Sequence, residues 1–207
     1  SVAHRMFPFF AGNAVPGYAP WRPMWLLGVV LALSLLHLAL ELAQASAWLW
    51  VADLPLFALL AFTLRKWWPR GPVPGILRVL FIGLAWLPVA MALFSIQSIV
   101  LGLTGEPMLG RGPVHALFVG FFGSVLIAMV TRVTQGHSGR KMAMPGAAWF
   151  AFVSIQLVAL ARVFAEVMPD LWAWQAAAAV GWVVAFAPWV FRIGRIYLSP
   201  RADGRPG

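Results

Sequence analysis

A chain of 207 residues that is 62% hydrophobic and only 10% charged has more apolar side chains than a soluble domain of this size can bury, so part of its solvent is lipid. Its net charge of +9 does not indicate a nucleic-acid partner, because the charges fall in short clusters between apolar runs, as membrane-flanking loops do. The absence of cysteine excludes disulfides and thiolate metal sites.

Taken in chain order, residues 1–22 carry Pro8, Pro16 and Pro20 and no apolar run, which makes them a cytoplasmic segment rather than a signal peptide. The chain begins at Ser1 rather than Met, as a processed product or a part of something longer would. A membrane-crossing helix needs about 20 mostly apolar residues. Six stretches meet this, at residues 23–43, 47–64, 76–101, 113–133, 145–168 and 171–191. The segments WWPRGPVPG (67–75) and GHSGRKMAMPG (136–146) hold the glycines and prolines that separate them, and Pro145 suits the start of a helix. Pro55, Pro88 and Pro188 lie inside spans, where a kink is tolerated if neighbouring groups recapture the freed carbonyls. The expected fold is an all-α, polytopic six-helix bundle over residues 23–198, with a cytoplasmic tail at 199–207.

The basic residues orient that bundle. Thirteen of the fifteen Lys and Arg fall on one side, leaving only Arg111 and Arg162 on the other. By the positive-inside rule both termini are cytoplasmic. The acids run the opposite way: Glu41, Asp53, Glu106, Glu166 and Asp170 fall toward the outer side. Trp21, Trp25, Trp67, Trp68 and Trp189 mark the inner interface, and Trp48, Trp50, Trp172 and Trp174 the outer one.

Polar groups inside a bilayer are costly and ask for a partner or a function. On the first span, Ser34, His37, Glu41 and Gln44 share an arc of roughly 80° at 100° per residue, a polar stripe in its outer half. His115 opens the fourth span. At 1.5 Å per residue, His37 lies roughly 10 Å and His115 roughly 3–6 Å below the outer boundary. Gln97 and Ser98, Asp53, and Arg162 with Glu166 come to comparable depth from three other helices.

Several readings follow. His37 and His115 are first-choice axial ligands of a haem b between the first and fourth helices, with Glu41 and Gln97 supporting them and Arg111 or Arg162 neutralising propionates. Alternatively His37, His115 and a carboxylate such as Glu41 bind copper or another first-row metal, or the polar layer is a passage for an ion or small polar solute. On a purely structural reading, Arg162 and Glu166 form an i, i+4 ion pair and each histidine bonds a carbonyl. Ala116, Gly120, Ser124 and Ala128 recur every fourth residue, a ridge that admits a close helix neighbour, a second copy of the chain or a flat macrocycle. A ligand-free scaffold paired through that ridge is the third class considered.

The stretch TRVTQGHSGR (131–140) ends the fourth span. Gly136 is expected as the helix C-cap, Arg132 as a headgroup anchor, and His137 to Arg140 as a tight turn. A metal or proton role for His137 with His4, or an anion held by the turn amides and Arg140, is the functional alternative.

The longer segment HALFVGFFGSVLIAMVTRVTQGHSGR (115–140) resembles the signature of the NnrS family of bacterial inner-membrane proteins. HRMFPFFAG (4–12) and SPRADGRPG (199–207) resemble two further segments of that family. The shared motif falls on His115, Arg132, Gly136, His137, Gly139 and Arg140. The resemblance implies a polytopic membrane protein carrying haem and copper and acting in nitric oxide metabolism and resistance to nitrosative stress. It implies no ligand set and no catalytic residue. Family members are expected to be about twice as long, so this chain would correspond to a C-terminal half, with a homodimer or a missing N-terminal half completing it.

Overall fold

The computed structural model describes residues 2–204, and all regular structure among them is helical. Helix α1 (Val2–Ala14) is followed by α2 (Met24–Leu42), then by α3 (Trp50–Trp67) after a short 3-10 turn at Ser46–Trp48. Helix α4 (Gly75–Thr104) is the longest. Helix α5 (Gly112–His137) is one continuous rod, with a wide π-helical stretch at Ala116–Gly123 between its α-helical ends. Helices α6 (Gly146–Phe164) and α7 (Leu171–Tyr197) complete the chain. The six from α2 to α7, with their flanking turns, are long and apolar enough to cross a membrane. Arg205 and the end of the expected tail lie outside the described residues.

Each spanning helix packs against its successor or the turn preceding it, so α2 and α7 are edges while α4 and α5 form the middle. The first span is almost wholly exposed and rests chiefly on α3. In a bilayer such faces are covered by acyl chains, so their exposure carries no penalty.

Helix boundaries depart from expectation where local signals compete. Helix α4 runs three residues past the expected end, stopping only at Gly105, whose φ of +78° no longer continues the helix. Helix α7 extends to Tyr197, beyond the expected hydrophobic limit, because a helix need not stop where the apolar run does. The N-terminal segment is not an appendage. Helix α1 buries Phe7, Phe10 and Ala11 against the start of α4 and the main apolar core. Tyr18 donates to the Trp67 carbonyl (3.0 Å) and the Trp67 indole donates to the Trp21 carbonyl (2.6 Å), tying the following linker to the end of α3. Burial raises the Tyr18 phenol above its ordinary pKa. Arg132, expected at the headgroups, stacks its guanidinium over the Phe10 ring at 4.1 Å.

The small-residue ridge is consumed inside the chain. Ala116, Gly120, Ser124 and Ala128 are all buried, and the ridge faces α4. The Trp86 indole lies over Gly120 so closely that a Cβ there would fall inside the ring, and Gly83 meets the Ser124 side chain. The ridge is therefore not a seam between copies. Beside it, the Trp86 indole donates to Gln156 Oε1 (2.7 Å), and Gln156 Nε2 donates to Ser124 Oγ (2.7 Å) and to the Phe152 carbonyl (3.1 Å). This satisfies the indole and all but one lone pair or proton of the amide where water is absent.

A methyl group at position 120 must displace that indole. Gly120→Ala is expected to lower stability in detergent by about 1–3 kcal/mol, the usual range for overpacking. In a denaturant titration its cost should shrink when Trp86→Leu is already present; strictly additive costs would remove Trp86 as the cause.

Candidate functional site

The chain places its titratable groups in two regions at opposite ends of the bundle. At the end away from the termini, α2 and α3 run antiparallel and bring His37 against Asp53. His37 Nδ1 lies 2.7 Å from Asp53 Oδ1. Asp53 sits in the first turn of α3, where a carboxylate is favoured by the helix dipole, and it is 0% exposed. A carboxylate accepts, so Nδ1 carries a proton, and in the neutral imidazole Nε2 is then bare. No described side chain bonds Nε2. The Phe94 ring meets the imidazole edge-on at 5.3 Å between centroids.

The expected polar stripe divides here. His37 turns inward, while Ser34, Glu41 and Gln44 are exposed. The carboxylate that supports His37 is Asp53 across the helix pair, not Glu41 one turn along, because only the neighbouring helix can approach Nδ1 from the interior. In the sequence Asp53 stands out for its depth alone.

His115 ends the first turn of α5 and makes a different contact. Its Nε2 lies 2.7 Å from Arg162 Nη2 on α6. Guanidinium has no acceptor, so Nε2 is bare and accepts, and Nδ1 carries the hydrogen. Nδ1 is buried with no well-formed partner, only a weak approach to the Arg111 carbonyl one turn back. The expected Arg162–Glu166 ion pair is absent among the described residues. Arg162 is directed to His115, and the Glu166 carboxylate rests against Gly110 instead. Arg111 is exposed at the N-terminus of α5.

The two histidines thus have different partners, His37 a carboxylate and His115 a guanidinium. They flank an apolar cluster that includes Leu56, Met91, Phe94, Ala116 and Val163. Among the described residues no three His, Asp or Glu side chains are gathered to hold a metal ion, so His37, His115 and Glu41 are not assembled as a copper site. Three buried polar atoms at this end lack well-formed partners: Asp53 Oδ2, Gln97 Oε1 and His115 Nδ1. Such atoms are rare, and the fourth among the described residues, Arg140 Nη1, lies at the opposite end.

The motif at the end of α5 forms a joint. The helix continues through Gly136 and His137 to a cap at Ser138, and Gly139 takes the left-handed conformation with φ of +68°. The Arg140 amide donates to the Gln135 carbonyl (3.0 Å) and the Gly139 amide to the Gly136 carbonyl (3.4 Å), the paired bonds of a Schellman stop. Gly139 rather than Gly136 thus ends the helix, since only the former needs positive φ. The turn amides are spent on helix carbonyls and cannot cradle an anion. Instead the chain's own tail fills the place: the Asp203 carboxylate covers Gly139 where a Cβ would stand. Arg201 grips that carboxylate with two N–H groups (2.9 and 2.7 Å) and donates to the His137 carbonyl (2.8 Å). Asp203 holds Arg201 above its ordinary pKa through that hydrogen bond. Arg140 donates to Ser199 (3.4 Å), and the Ala202 amide to the Ser138 carbonyl (2.9 Å). His137 is exposed and contributes its carbonyl rather than its ring, while His4 lies on α1 with Nε2 3.1 Å from the Pro23 carbonyl.

A cavity of about 590 Å³ lies between these two regions and is lined by neither His37 nor His115. It opens between α1 to α5, and Ser34 on its wall is one turn of α2 before His37. The chemistry and the empty volume are therefore adjacent but distinct.

The joint makes a sharp prediction. Gly139→Ala should cost roughly 1–2 kcal/mol from the left-handed backbone alone and should also displace Asp203. Limited proteolysis would read this as faster cleavage after Arg201. Gly136→Ala, inside the helix, should leave the tail protected; equal cleavage in the two variants would dissociate Gly139 from tail docking.

No curated protein and no solved structure matches this chain. A family model described as NnrS protein matches residues 1–201, which takes in the docked N-terminal helix, all six spanning helices, the His37–Asp53 and His115–Arg162 pairs and the Gly139 joint. On that match over nearly its whole length, the chain belongs to the NnrS family.

Proposed function

We propose that this chain is a bacterial inner-membrane haem protein of the nitric oxide response, with His37 as the iron ligand. The observation that carries the reading is the His37–Asp53 pair. Ligating imidazoles almost always donate their second ring N–H to a carboxylate or carbonyl, which fixes the tautomer and aims the bare nitrogen. His37 has that arrangement, with a fully buried carboxylate at 2.7 Å and Nε2 left free. Membership of the NnrS family supports the same class.

The donor set would serve haem with a division of labour that differs from a pair of histidine ligands. His115 has its Nε2 engaged by Arg162 and serves to hold that guanidinium. Arg162 has no carboxylate within ion-pair distance among the described residues, which suits it to a propionate. Haem held by His37 would supply an iron able to bind a diatomic ligand such as nitric oxide. Copper, associated with the family, finds no group of three nitrogen or oxygen side chains here and is the lesser candidate.

The test is the absorbance spectrum, oxidised and dithionite-reduced, of detergent-purified protein with metal analysis. A Soret band is expected in the native chain and should be lost in His37→Ala. Asp53→Asn should weaken haem retention by about 10–100-fold. His115→Ala should keep the band and weaken retention less. A Soret band unmoved by His37→Ala would remove His37 as ligand and transfer attention to His4. Folded protein free of haem and metal would overturn the proposal in favour of a solute passage.

A further inference from the structure

The motif on α5 leaves one cation without a task. Arg132 lies inside a spanning helix, half-buried, with its guanidinium stacked on the Phe10 ring at 4.1 Å. Stacking uses the flat face of the guanidinium and leaves its five N–H donors in the plane around it. Among the described residues no hydrogen bond or ion pair engages them. None of its nitrogens is a buried orphan either, so the donors can be reached from outside the protein. No carboxylate of the chain is placed to meet them. Five of the six acids lie at the other end of the bundle, and Asp203 is gripped by Arg201. A cation within a span asks for a counter-charge or a function.

Its position gives such a counter-charge an apolar neighbour. The 590 Å³ cavity has the size of a small-molecule site and a predominantly apolar lining. On α5 its wall includes Val125 and Met129, and at 100° per residue Arg132 falls within an arc of about 60° with them. On α1 its wall includes Ala3, Met6 and Phe7, and Phe10 continues their face. The Phe10–Arg132 contact therefore stands one turn beyond the cavity's last residue on each of these two helices.

We infer that Arg132 and this cavity together bind a single-chain lipid anion, its alkyl chain in the cavity and its oxyanion on the guanidinium. A carboxylate or a phosphate offers paired oxygens to the planar fork of N–H groups, so either head meets the same chemistry. Phe10 holds the fork in place before the ligand arrives, which lowers the ordering cost of binding. A neutral chain leaves the guanidinium unpaired, and a free oxyanion forgoes the contacts of the apolar wall. The site is separate from the His37–Asp53 pair, and the inference does not rest on the haem reading.

The experiment measures binding of doxyl-labelled stearate and of its methyl ester to the detergent-solubilised chain at alkaline pH. The motionally restricted part of the spin-label spectrum reports the bound fraction. Both probes share chain and label, and only the ionised acid has an oxyanion. Stearate is expected to saturate one site and to bind about tenfold tighter than the ester, the worth of one charge-assisted hydrogen bond. Arg132→Gln should bring stearate to the affinity of the ester. Arg78→Gln, at an exposed position near the same end of α4, should not. Leu60→Trp, which narrows the cavity, should weaken both probes. Inorganic phosphate at the same concentration should not displace stearate, which separates a lipid head from a free anion. Equal affinity of acid and ester, unsaturable partition, displacement by phosphate, or undiminished binding in Leu60→Trp would overturn the inference. A stearate preference that survives Arg132→Gln would also overturn it, by moving the oxyanion to the amides that open α1. Release of haem by stearate would do so by making the cavity the haem seat. If Arg132→Gln fails to fold, the acid–ester comparison and the phosphate competition on the native chain decide alone. His37→Ala should leave stearate binding intact, so this site and the haem reading fail independently.

Discussion

The contact of the Trp86 indole with Gly120 sets the separation of α4 and α5, and the remaining architecture is built around that separation. Lipid offers no hydrophobic drive between helices, so close packing and internal hydrogen bonds hold a bundle together. A glycine under an indole supplies the first. The Trp86–Gln156–Ser124 bonds supply the second and extend the seam to α6. With α4 and α5 fixed at mid-depth, His115 and Gln97 are held at one end of the seam and the Gly139 joint at the other.

Most polar groups inside this bundle are taken up by a partner on a neighbouring helix. His37 is joined to Asp53, His115 to Arg162, and Thr131 accepts from the Trp189 indole at 2.8 Å. The partner determines what each group can still do. A histidine that donates to a carboxylate keeps a bare nitrogen for a metal, whereas one that accepts from arginine is occupied. Two histidines at similar depth are therefore left with different hydrogen-bond partners, and the difference comes from the neighbouring helix.

The family motif owes its shape to the tail. Gly139 is required twice over, by its positive φ and by the Asp203 carboxylate above it. Arg201 completes the joint by neutralising that carboxylate beside the electron-rich end of α5. The opposite terminus is bound as firmly, through Phe7 and Phe10 in the core and Phe10 under Arg132. Both ends of the chain thereby brace the same side of the bundle.

The six spans, their order and the end of the bundle where titratable groups collect were legible in the sequence, because twenty apolar residues have one low-energy arrangement in lipid whatever their neighbours. Family membership was legible for a similar reason: the residues from His115 to Arg140 form one contiguous segment. Pairings were not legible. Asp53 as the partner of His37, Gln156 as a hub and Arg162 turned away from Glu166 depend on rotation and register between helices, which hydrophobicity alone does not encode. Gln156 left a usable signal, a lone amide within an apolar run, where an intramembrane polar group needs a partner or a task. Docking of α1 had no such signal, since Pro8 within it and Pro16 and Pro20 after it read as breaks until the core supplied a surface for Phe7 and Phe10. The sequence by itself determined which segments enter the membrane, through the cost of exposing backbone to hydrocarbon. The tertiary structure alone decided which polar atoms are spent and which are free, because a hydrogen bond is satisfied only by a group that packing brings within about 3 Å.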